Sequence, residues 1–76
     1  MAVSDAEIEA KILELLNARE GTICPSDAAR ALAEDWRPLM DPVRRVADGM
    51  DEIEITQKGR VVELDAARGP IRLRLR

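Results

Sequence analysis

The hydrophobic period of this chain changes once, at Gly49, and that change restricts the fold more than any other feature. Upstream, apolar residues recur at helical spacing: Ile8, Ile12, Leu15 and Leu16, then Val43, Val46, Ala47 and Met50. Downstream they alternate, as Ile53 and Ile55, then Ile71, Leu73 and Leu75. A period of about 3.6 marks a helix with one buried face, and a period of two marks a half-buried strand. Helices first and strands last predict an α+β architecture rather than an alternating α/β one. With 76 residues, the chain has room for a single domain, 1–76, that buries only about 60% of its unfolded surface.

Local signals divide the helical half. Ser4-Asp5-Ala6-Glu7 has the form of a capping box, and predicts a first helix over Asp5 to Arg19, ended by Glu20-Gly21. Thr22-Ile23 follows as a short extended link able to add to a sheet. Cys24-Pro25-Ser26-Asp27 opens a second helix, Pro25 to Ala33, with Pro25 at its first position and alanines that permit close helix approach. Pro38 and Pro42 predict a turn over Trp36 to Met40, then a third helix capped by Asp41, with Pro42 at its first position and Val43, Val46, Ala47 and Met50 inward. Arg37, Arg44, Arg45 and Asp48 then share the solvated face.

In the second half, Glu52 to Thr56 and Arg60 to Leu64 read as the two strands of a hairpin turning at Gln57-Lys58-Gly59. Asp65 to Pro70 is a loop. Ile71 to Arg76 is a last strand, with Ile71, Leu73 and Leu75 toward the core and Arg72, Arg74 and Arg76 outward, where Glu52, Glu54 and Glu63 can pair with them.

Composition removes several function classes. There is no histidine and one cysteine, Cys24, so the usual general base, a zinc cage and a CxxC redox pair are all missing. With no Gly-rich phosphate loop either, the expectation is a protein that is not an enzyme and needs no cofactor or metal. Trp36 alone represents the aromatics, which excludes stacking platforms for single strands. It is expected as a core or subcore ring beside the third helix, and Cys24 as a partly buried residue at a helix cap whose thiol a helix N-terminus can activate. Apolar runs of two or three residues and an acidic N-terminus predict a soluble, cytoplasmic protein with no membrane partner.

Three helices followed by a hairpin and a strand predict a winged helix, in which the third helix can enter a major groove and the hairpin tip can touch phosphate. The candidate DNA-contacting residues are therefore Arg37, Arg44, Arg45, Lys58 and Arg60. Asp41 and Asp48 can pair with the arginines of the third helix and leave an ordinary solvated face. Residues 1–35 carry eight acids and three bases, a net of −5, whereas residues 36–76 carry seven acids and nine bases, a net of +2. An overall charge of −3 opposes tight nonspecific DNA binding. Two readings follow: a weak duplex-DNA-binding module or regulator, or a protein-interaction module using the acidic first helix or a sheet edge.

The sequence also resembles a small bacterial domain-of-unknown-function family with a winged-helix fold. The resemblance rests on Cys24-Pro25-Ser26-Asp27-Ala28-Ala29-Arg30-Ala31-Leu32, Trp36-Arg37-Pro38-Leu39-Met40, Val43-Arg44, the hairpin from Ile55 to Val62, and Ala67-Arg68-Gly69-Pro70-Ile71-Arg72-Leu73-Arg74. It covers most of the chain from residue 5 onward. The family's third helix runs a turn further than the passage from Val46 into Asp51-Glu52-Ile53 allows here. The resemblance implies a fold and no established activity, catalytic residues or ligand.

Overall fold

Ser4 starts the first helix as its sequence predicts. Its Oγ accepts from the Glu7 amide at 3.2 Å, and the Glu7 carboxylate accepts from the Ser4 amide at 3.3 Å, so two amides that the helix leaves unpaired are satisfied. Helix α1 then runs Asp5–Ala18 and buries Ile8, Ile12 and Leu16. This computed structural model describes residues 3–19 and 21–76; Met1-Ala2 and Glu20, half of the expected stop signal, lie outside them. Arg19 leaves the helix in an extended conformation. Gly21, at φ +97°, takes the left-handed conformation that side chains resist.

Among the described residues the order is α1, β1 (Thr22–Ile23), α2 (Pro25–Leu32), a 3-10 turn (Arg37–Leu39), α3 (Met40–Asp48), β2 (Ile53–Gln57), β3 (Arg60–Val61), a second 3-10 turn (Leu64–Ala66) and β4 (Arg72–Leu75). The architecture is α+β: three helices against a four-stranded antiparallel sheet, in a winged-helix-like arrangement. The strand order is β1-β4-β2-β3. The last strand is thus inserted between the first and the second, with Ile23 opposite Leu73 and Ile55 opposite Leu73 on the other side. Leu73, Ile23 and Ile53 are sealed at the centre with Ile8, Ile12 and Val43, and Ala28 and Ala29 let α2 lie close. No helix of the described residues is long and apolar enough to cross a membrane.

Several expectations are corrected. Helix α3 begins at Met40 with Leu39 at the cap position, so Asp41 is not its cap and Pro42 stands third. Proline is tolerated there because the first amides of a helix have no acceptor within it, and the 3-10 turn before it removes the clash an α-helical residue 38 would make. Helix α2 ends at Leu32 and not Ala33. Strand β3 holds only Arg60 and Val61, although the Val62 amide still reaches the Ile55 carbonyl at 3.0 Å. Leu64 turns back to pack on the core and starts a 3-10 turn where strand was expected. Leu75 is 40% exposed despite its place in the alternation, because β1 pairs only with Leu73 and Arg74 and gives Leu75 no neighbour on that side.

Candidate nucleic-acid interface

The hairpin turn has two residues, Lys58 at φ +54° and Gly59 at φ +82°. Gln57 pairs with Arg60 across it. Two successive positive φ values give the turn a twist that suits the flanking strands. Beyond the turn, the chain from residue 58 to 71 forms a wing that leaves β2 and returns through β4. The Gln57 side-chain amide holds its two arms together by donating to the carbonyls of Arg68 and, at 3.2 Å, of Pro70.

That clamp assembles a basic surface. Gln57, Lys58, Arg60, Val62, Arg68 and Pro70 line an open depression of about 720 Å³. No carboxylate lines it, and among the described residues none of its three cations forms an ion pair. Lys58 and Arg60 were expected at this tip. Arg68 carries no such signal: it sits in what the sequence reads as a plain loop, and only the Gly69-Pro70 pair after it marks a turn that could bring it back.

The three arginines expected on the third helix part company. Arg45 forms a two-pronged pair with Asp5 at the start of α1, at 3.1 and 3.2 Å, rather than pairing with Asp41 or Asp48. The Arg45 hydrogen bond holds the Asp5 carboxyl below its ordinary value, opposed by desolvation and aided by the Arg45 charge. Asp5 in turn raises the Arg45 guanidinium. Arg37 lies over the Trp36 ring at 4.9 Å from its centre, and Arg30 of α2 lies over the same ring at 4.5 Å. Trp36 is half-buried and packs against the core, as expected.

Arg45 and Arg44 both border the wing, and Arg44 is the more enclosed. It is half-buried, unpaired among the described residues, and lines two neighbouring hollows. One, of about 530 Å³, lies between the start of α2 at Cys24, Pro25 and Ser26 and the wing at Ala67, Gly69 and Pro70. The other, of about 500 Å³, lies between α3 and Leu64, Asp65 and Ala67, and carries Asp41, Asp48 and Asp65 together with Arg45 on its walls.

The C-terminal arginines are largely structural. Arg74 pairs with Glu54 across the β2–β4 ladder at 2.8 Å, as the alternation predicts. Arg72 turns instead to β1, donating to the Thr22 hydroxyl at 2.8 Å, to its carbonyl and to the Cys24 sulfur. Arg76 donates to the Ile53 carbonyl at 3.1 Å, so neither it nor Arg72 meets the expected glutamate. Among the described residues no cluster of carboxylates and cysteine could hold a metal ion.

No curated protein matches the sequence. A family model does, over residues 5–76, which takes in every helix, the whole wing and β4. The chain belongs to that family, the proteins of unknown function DUF3253.

Proposed function

We propose that this protein binds duplex DNA weakly through its wing, with Lys58, Arg60 and Arg68 on the phosphates and Arg44 at the margin. The observation that carries the reading is the carboxylate-free depression in which those three wing cations stand unpaired. Unpaired cations grouped on one face are the electrostatic footprint of a phosphate-binding surface. Their number limits affinity, and the net charge of −3 limits it further. Arg45 and Arg37 contribute less than the sequence suggests, since their guanidiniums already engage Asp5 and Trp36.

The test is fluorescence anisotropy with a labelled short duplex at low salt, comparing the protein with R60A/R68A. Each lost phosphate contact forfeits about 0.9 of a log unit of affinity per decade of salt below 1 M, so the double variant should bind roughly 200-fold more weakly at about 50 mM salt. Equal binding by the two proteins would remove the wing from the interface.

A second reading, docking to another protein, draws on one observation. Val61 is 60% exposed on β3, the edge strand of the sheet, and an open edge can accept a strand from a partner. Loss of partner capture in V61K with unchanged duplex binding would favour it.

A further inference from the structure

Resting on the duplex-binding reading, we infer that the protein holds DNA by its backbone alone, with α3 outside the major groove and the base sequence unread. The argument comes from what α3 presents. A helix that reads bases needs donors and acceptors matched to their edges, chiefly Arg and Lys on guanine and Asn and Gln on adenine. Helix α3 has no Lys, Asn or Gln, and its two arginines are unsuited: Arg45 is bound to Asp5, and Arg44 is half-buried between α2 and the wing. Exposed beside the paired Arg45 are Asp41 and Asp48, with Asp65 of the wing facing them across a hollow that Arg44 and Arg45 also line. With Arg45 neutralised by Asp5, the three carboxylates outnumber Arg44 and leave this hollow net negative, which disfavours the phosphate rows that border a groove. The wing carries the opposite charge in a depression without acids. The surface therefore attracts the backbone at one end and rejects the groove at the other.

The experiment joins two measurements on the full chain. Dissociation constants are taken for an A·T-rich and a G·C-rich duplex of equal length, and amide shifts of isotope-labelled protein are followed with each. The inference predicts constants within about two-fold of one another, against the factor of about 10³ or more that separates specific from nonspecific binding in sequence readers. Shifts should gather at Lys58, Gly59, Arg60 and Arg68 and leave Asp41, Arg45 and Asp48 in place. Binding that differs by about ten-fold or more between the duplexes, or shifts at Asp41, Arg45 and Asp48, overturns this inference while leaving duplex binding intact. No binding to either duplex overturns both.

Discussion

Asp5 shows how one side chain can redirect a reading made from helical spacing. It caps no helix and touches no core, yet it takes Arg45 away from the face of α3 and ties α1 to α3. Because Arg45 holds the Asp5 carboxyl below its ordinary value of 3.8, the pair stabilises the fold at pH above that value and loses its effect as pH falls through the lower, folded one. In D5N the urea midpoint should be lower than in the parent near neutral pH, and the two should converge as pH falls through the lowered folded value. A constant difference down to acid pH would contradict the tie. At the centre of the sheet, L73A removes a side chain with no exposure and should cost about 2–5 kcal/mol in chemical denaturation. That is a large share of the roughly 4–11 kcal/mol expected for a domain of this size. Leu73 could be identified from alternation alone. Thr56 could not: the same alternation places it outward, but it lies between Val61 and Arg72 on that face, is 1% exposed and donates to the Arg72 carbonyl at 3.4 Å.

Elements were legible where the signal was local. The capping box of α1, the proline start of α2 and the turn at Lys58-Gly59 each depend on residues within a few positions of one another, and each appears as expected. What the sequence could not supply was which strands are neighbours. Placing β4 between β1 and β2 depends on packing between residues some fifty positions apart, and that placement folds the loop at 68–70 against Gln57. It is also why Arg68 escaped notice and why Arg72 meets Thr22 rather than a glutamate. The turn offers a variant in which stability and binding move oppositely. Lys58 occupies a left-handed conformation that asparagine adopts at lower cost, so K58N should gain about 0.5–1 kcal/mol of stability. The same change removes one phosphate contact and should weaken duplex binding. Q57A should do the reverse of neither: by releasing the carbonyls of Arg68 and Pro70 it should lower both the melting temperature and the affinity, and unchanged affinity would show that Arg68 acts without its clamp.

For the whole molecule, polarity of charge matters more than its sum. Residues 1–35 carry a net of −5, and the wing groups three cations in a depression without acids, so a protein of net −3 can still offer one attractive end to a polyanion. The sequence disclosed this division of charge but not its sharpening by the Asp5–Arg45 and Glu54–Arg74 pairs, which cancel two arginines outside the wing. The most direct test is the salt dependence of duplex binding. With Lys58, Arg60, Arg68 and Arg44 engaged, log K should fall against log salt with a slope of about −3 to −4, easing to about −2 in R60A/R68A. A slope near zero, or one that the double variant leaves unchanged, would contradict a phosphate-binding wing.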